Sequence, residues 1–543
     1  MNRIYVRIAL TLLFLSTVPT WAQSDTSGEE PSAPPSVTYT DLHDFTETDG
    51  CCPLYPSMLA QGEDGNIYGA TTNGGTSFLG NIFMLTPSGA YTNLYSFSAN
   101  GLDPQGGVSL GTDGNFYGTT YQGGTGHSGT AFQITPSGTE KVLYNFTNTT
   151  DGAYPRVPPV QAGDGNYYGT TANGTVAVLY QLTSTGTFKV MVTLAAQSYS
   201  PLLLATDGNL YGTTLQGGTF GKGSVFKYSP GATTITTIFN FVNEFSPTGQ
   251  LTQGIDGKLY GTASAGGTGD GGAIFQVTTG GTYKVLYNFT SSGATDGRTP
   301  YGGVVQGSDK KLYGVASTGG ANGVGTLFSI STSGSSFTVL YNFVTSSGST
   351  PYSALMLHTN GTLYGMTFTG GAHGYGSIYS VNAGLKAFVK PLNKVAAKVG
   401  SSFGLLGQGF NTAIGVTIGA GTATPTVKSD TYMTAKPVLG ATTAQVIVDE
   451  PGGNLSTPLT FNITPTISSF SPTSGPVGTV VVITGQSLTG ATKVKFNGVA
   501  ATSFTVNSNT QVTATVPTGA TTGKIKVTTA GGTATSSTNF TVQ

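Results

Sequence analysis

Asp113-Gly114-Asn115-Phe116-Tyr117-Gly118-Thr119-Thr120, followed by Gly123-Gly124, is the stretch on which the fold turns. Asp-Gly between two apolar runs signals a hairpin, because glycine takes positive φ without a Cβ clash and twisted strands favour such turns. The pattern recurs at Asp64-Gly65-Asn66, Asp164-Gly165-Asn166 and Asp207-Gly208-Asn209, and in reduced form at Asp256-Gly257 and Asn360-Gly361. One tyrosine anchors each copy: Tyr68, Tyr117, Tyr168, Tyr211, Tyr260, Tyr313 and Tyr364, at gaps of 49, 51, 43, 49, 53 and 51 residues. Periods near 50 belong to propeller blades rather than to helical solenoids. The sixth copy, Ser308-Asp309-Lys310-Lys311, lacks the glycine and predicts a looser turn.

Four β-rich segments separated by Gly or Ser can be read in each copy. In the sixth they fall at 301–306, 311–316, 325–330 and 337–343. Seven such units with almost no helical periodicity predict an all-β chain whose first two-thirds is a seven-bladed β-propeller. The segment 39–45 resembles the fourth strands at 94–97, 143–146 and 286–289, yet it precedes the first complete copy. It is expected to complete the last blade and seal the ring, the alternative being residues 386–389. Tyrosines and phenylalanines at fixed repeat positions read as core between blades.

Composition narrows the function. Charged residues make up 8% of the chain, against about 25% in an average soluble protein, and 22 basic residues against 23 acidic leave a net charge of -1. No long-range field draws such a protein to nucleic acid or anionic lipid. Residues 1–22 carry Arg3 and Arg7, an apolar run at 8–18 and small residues before Ala22, the three parts of a secretory signal. Export and cleavage near Ala22 are expected, with no membrane insertion afterwards. Only two cysteines occur, Cys51 and Cys52, and their adjacency rules out a disulfide framework. A vicinal bridge, pairing to another molecule and two plain loop thiols all stay open.

The string Leu-Tyr-x-Phe, a proline, then Asp-Gly-Asn-x-Tyr-Gly-Thr-Thr and Gly-Gly resembles the Gloeo-Verruco (GloVer) tandem repeat over about residues 39–390. Residues 143–146 with 164–171, 238–241 with 256–262, and 113–124 carry the resemblance. It implies a bacterial, exported protein. Copy three departs from it, with Asn173-Gly174 in place of the double glycine. A second similarity is to sensor-type propeller repeats, with tyrosine replacing their tryptophan. Beyond the repeat, Val399-Gly400, Pro437 and Gly452-Gly453 recur as Val477-Gly478, Pro517 and Gly531-Gly532. The second of these modules, opening at Pro465 and running through Ser471-Pro472 and Gly475, resembles the IPT/TIG immunoglobulin-like sandwich. The expected order is a signal at 1–22, a linker at 23–37, the propeller at 38–390 and IPT/TIG-like sandwiches at 391–463 and 464–543, the sandwiches serving as spacers.

If the strand after the proline is innermost, the short uniform turns after strands one and three share one face. The longer, variable loops after strands two and four share the other, and variable loops on a rigid scaffold are where binding residues usually sit. The candidate ligand-binding residues there are Asp103, Asp151, Arg156, Glu244, Asp296 and Arg298, beside Asp49, Asp270, His127 and His373. Solvated turn residues are the plain alternative for each. His43, His127, His358 and His373 are too dispersed for zinc, and the Asp-Gly-Asn turns lack the ligand run of a calcium loop, so neither metal nor cofactor is expected. The pattern points to an exported binding or scaffold protein for an extracellular glycan or surface protein. A carbohydrate-active lyase or hydrolase using loop carboxylates, and a structural adhesion element, are the competing readings.

Overall fold

In the computed structural model, which describes residues 37–543 apart from 55–57, 99–100, 173, 292–294 and 424, the repeat aspartate has two roles. One carboxylate oxygen of Asp113 accepts from the Asn115 backbone N–H at 3.2 Å and closes the turn; the other accepts from the Tyr117 hydroxyl at 2.7 Å. The same pairing joins Tyr68 to Asp64, Tyr168 to Asp164, Tyr211 to Asp207, Tyr260 to Asp256 and Tyr313 to Asp309. The tyrosine rings are buried, so each hydroxyl needs a partner, and the aspartate four residues back supplies it. The repeated carboxylate is thus explained by turn chemistry. In the sixth copy the turn is not looser: Lys310 takes φ 68° where other copies place glycine, and the Lys311 N–H still reaches Asp309. The expected signal segment, nearly all of the linker and Asn173 lie outside the described residues.

Each copy folds as a four-stranded antiparallel meander, and seven such sheets lie between Thr38 and Asn382. From inner to outer strand, blade 1 runs from Ala60–Gln61 to Tyr91–Ser96, blade 2 from Val108–Leu110 to Glu140–Asn145 and blade 3 from Val160–Gln161 to Phe188–Leu194. Blade 4 runs from Leu203–Leu204 to Thr236–Asn240, blade 5 from Thr252–Gln253 to Tyr283–Thr290 and blade 6 from Val304–Gln306 to Phe337–Asn342. Blade 7 takes Met356–Leu357, Leu363–Met366 and Ser377–Asn382 from the end of the repeat and Thr38–Asp44 from its start, with Thr38 opposite Asn382 and Asp44 opposite Ser377. The N-terminal strand therefore completes the last blade. Residues 386–389 do not, and Lys390–Pro391 just beyond them pairs inside the following module.

Closure is visible in the cores as well. Seven apolar clusters each span two neighbouring blades, pairing the repeat tyrosine of one with the second strand of the next: Tyr68 with Phe116, Tyr117 with Tyr167, Tyr168 with Leu210, Tyr211 with Leu259, Tyr260 with Leu312 and Tyr313 with Leu363. The seventh joins Tyr364 of blade 7 to Ile67 of blade 1, so the ring leaves no open seam. Side-chain clasps reinforce it: Gln161 of blade 3 accepts from the Thr112 N–H of blade 2 at 2.9 Å, and Gln61 of blade 1 from the Thr359 N–H of blade 7 at 3.0 Å.

Two β-sandwiches follow, one cored by Phe403, Val416, Met433 and Phe461, the other by Val481, Ile483, Val527 and Phe540. No helix among the described residues is long and apolar enough to cross a membrane. The first sandwich is not the spacer that its composition suggests. Its Ser429 and Thr431 hydroxyls donate to the Glu63 carbonyl at 3.2 and 2.7 Å, and the Asn462 amide donates to the Thr206 carbonyl at 2.7 Å. Leu392 and Leu406 join the core between blades 1 and 2. Glu63 and Thr206 each precede a repeat aspartate, so the first sandwich covers the face on which the Asp-Gly-Asn turns lie.

Candidate functional site

With the first strand of each blade innermost and lining the central channel, the loops after strands two and four emerge opposite the covered face. Six of the loops that lead into inner strands turn a corner in the same way. Cys52, Asp103, Tyr154, Ser246, Thr299 and Thr350 each adopt φ between 54° and 64° immediately before a proline. That conformation costs a side-chain-bearing residue about 1 kcal/mol or more, so its recurrence marks a corner that the scaffold imposes. A position twelve residues before the repeat tyrosine is occupied in blades 2 to 7 by Gln105, Arg156, Tyr199, Thr248, Tyr301 and Tyr352, and in all of these but blade 4 it lies two residues beyond the corner. Each stands four residues before the inner-strand residue that pairs with that tyrosine, which puts it at the mouth of the channel. The counterpart in blade 1, Pro56, lies outside the described residues.

Neighbours in this series touch. Arg156 donates to the Gln105 side-chain carbonyl at 2.6 Å, and Gln105 donates to the Asp103 carboxylate at 2.7 Å. The Arg156 guanidinium lies over two rings, 4.5 Å from the centre of Tyr121 and 4.7 Å from that of Tyr199. Such cation–π contacts contribute about 0.5–2 kcal/mol each and fix the plane of the guanidinium. Its Nε and one oxygen of Asp103 are buried without a hydrogen-bond partner among the described residues. Burial pushes the Asp103 carboxyl up from its usual range, while Gln105 and Arg156 pull it back. Further round the mouth, Tyr301 meets Tyr352 edge-on at 5.2 Å, Tyr352 contacts Phe368 at 5.1 Å, and Thr248 donates to the Tyr301 carbonyl at 3.3 Å.

Of the six residues singled out from the sequence, the structure brings Asp103 and Arg156 together and places the other four in their own loops. Asp151 accepts from the Tyr144 and Thr147 hydroxyls at 2.9 and 2.7 Å and from the Thr147 and Thr149 backbone N–H groups at 2.8 and 3.2 Å. Burial would raise its pKa, yet these donors hold it below the usual carboxylate range. Asp296 accepts from the Tyr287 hydroxyl at 2.6 Å. Glu244 is buried in a two-stranded ribbon against Ala265–Gly266, and the exposed Arg298 donates to the Ser291 carbonyl and the Thr318 hydroxyl. Cys51 and Cys52, in the loop leading to blade 1, are joined to each other. Gln105, Tyr199, Thr248, Tyr301 and Tyr352 were missed because they look like ordinary loop residues one at a time. The fixed offset from the repeat tyrosine was the signal that finds them.

A family model described as the Gloeobacter/Verrucomicrobia repeat matches residues 32–183 and 197–427, and the IPT/TIG domain model matches residues 465–542. No curated protein matches the chain. Among solved structures, an oligogalacturonate lyase from Vibrio parahaemolyticus is similar at 11% identity and a TM-score of 0.43, covering 64% of this chain and 97% of its own. A fungal alcohol oxidase of the AA5 family, in complex with copper, is similar at 13% identity and a TM-score of 0.41, covering 93% of this chain and 99% of its own. A gluconolactonase from Xanthomonas campestris is similar at 13% identity and a TM-score of 0.34, with 52% and 91% covered.

Proposed function

We propose, from the premise that the chain belongs to the Gloeobacter/Verrucomicrobia repeat family and ends in an IPT/TIG domain, that it is an exported binding protein whose propeller presents the loop-face mouth of its channel to a glycan. The observation that carries this reading is the series Gln105, Arg156, Tyr199, Thr248, Tyr301 and Tyr352, in which a constant backbone position displays changing side chains. Tyrosine faces suit the apolar face of a pyranose ring, and the Arg156–Gln105–Asp103 chain offers both donors and acceptors to sugar hydroxyls. The signal pattern at residues 1–22 supports export, and the net charge of -1 favours a ligand recognised by contact rather than by field. The first sandwich, by covering the other face, leaves the loop face as the one offered to a ligand.

The full chain applied to a glycan array is expected to bind at least one glycan class saturably. Arg156→Ala and the double change Tyr301→Ala with Tyr352→Ala are each expected to weaken that binding by about tenfold or more, the scale of one or two lost contacts, in a chain that still folds. An array without binding, or binding indifferent to both variants, contradicts the reading. Turnover of a polysaccharide that Asp103→Ala abolishes would replace it with a catalytic one.

A further inference from the structure

Below its mouth the channel is hollow. A cavity of about 430 Å³ runs between the inner strands, where Leu110, Leu204, Leu251 and Leu355 face it, and the first sandwich, which contributes Leu392 and Phe461. The same sandwich contributes Lys390, with Lys394 nearby on the wall. Lys390 is an exposed side chain that lines the cavity, and the protein around it lowers its pKa by desolvation. Among the described residues no carboxylate lines the cavity and Lys390 has no ion-pair partner.

An ammonium on a mostly apolar cavity wall without a counter-charge is poorly compensated, and an anion that enters the cavity pairs with it. The volume lies in the range of roughly 300–1,000 Å³ that small-molecule pockets occupy, and such pockets are mostly apolar with a few polar groups that fix orientation. We propose that the propeller channel binds a small amphiphilic anion, an apolar body ending in a carboxylate, with Lys390 as its counter-ion and the leucine-rich inner strands around the body. This site is separate from the mouth and does not rest on the glycan reading, which fails or stands on Arg156, Tyr301 and Tyr352.

Three ligands that share one apolar body test it: octanoate, octan-1-ol and octylammonium, titrated calorimetrically into the full chain. Octanoate is expected to bind at one site, octan-1-ol about tenfold or more weaker, the scale of one lost charge-assisted contact, and octylammonium not measurably. Lys390→Met is expected to remove the preference for octanoate over the alcohol, whereas Lys386→Met, at an exposed position away from the cavity, keeps it. Should Lys390→Met fail to fold, the head-group comparison on the unaltered chain decides by itself. Equal binding of octanoate and octan-1-ol, no saturable uptake of any of the three, or an unchanged octanoate preference in folded Lys390→Met would each overturn the proposal.

Discussion

The covered face of the propeller and its loop face are built from the same seven repeats and are used in opposite ways. On the covered face the repeat residues recur almost unchanged, because Asp64, Asp113, Asp164, Asp207, Asp256 and Asp309 each hold a turn and a tyrosine at once. Uniformity there serves the fold and gives the first sandwich a regular surface to dock on. On the loop face the backbone corner and its proline recur in six loops, and the position twelve residues before the repeat tyrosine does not keep its side chain. Gln105, Arg156, Tyr199, Thr248, Tyr301 and Tyr352 share a place and little chemistry. Constant position with varied side chain marks a surface whose scaffold is fixed and whose contacts are free to differ.

The comparison breaks first where the covered face is buried. Leu406→Asp places a carboxylate among Leu392, Leu110 and Phe116, and is expected to cost about 3 kcal/mol or more, since an unpaired charge is driven into an apolar core. Denaturant unfolding of the full chain measures it. If stability is unchanged, the first sandwich does not dock as described. A smaller effect is expected at the turns: Tyr211→Phe removes the hydroxyl that Asp207 accepts and should cost about 1 kcal/mol, a typical net hydrogen bond. Lys310→Gly should change stability in the opposite direction by about 1 kcal/mol, because glycine takes φ 68° without strain. Tyr301→Ala, on the loop face, should alter stability least of all while weakening ligand binding. A loss of several kcal/mol there would make it a core residue.

The closing strand adds a pH dependence. Burial, and after it the charge of Asp44, push the Asp41 carboxyl up to about 7. A carboxyl whose pKa is higher in the folded chain binds its proton more tightly there, so its contribution is complete below the unfolded value of about 4 and is lost as pH rises to about 7. Melting temperature should fall over that window, and Asp41→Asn should flatten the fall. An unchanged slope in that variant would show that Asp41 is not the group responsible.

The legible part of this molecule was the part written locally. An aspartate and a tyrosine four residues apart form one hydrogen-bonded unit whose repetition announces the blades and their inner strands, and the likeness of residues 39–45 to the fourth strands announces the closing strand. The docking of the first sandwich was not legible. Its contacts run from Ser429, Thr431 and Asn462 to backbone carbonyls more than 250 residues away, and carbonyls leave no mark in a sequence. The site was half legible. Asp103 and Arg156 stood out as rare charges in a charge-poor chain, but so did Asp151 and Asp296, which tie their loops to Tyr144 and Tyr287. Charge identified candidates, and only the hydrogen-bond partners separated those that face the channel from those that brace a loop.

Hydrogen exchange on the full chain, with and without the glycan that binds best on the array, tests the assignment of the two faces most directly. Protection confined to the loops around Gln105, Arg156, Tyr199, Tyr301 and Tyr352 is the predicted result. Protection centred instead on the Asp-Gly-Asn turns or on the sandwiches, with those loops exchanging as before, would contradict it.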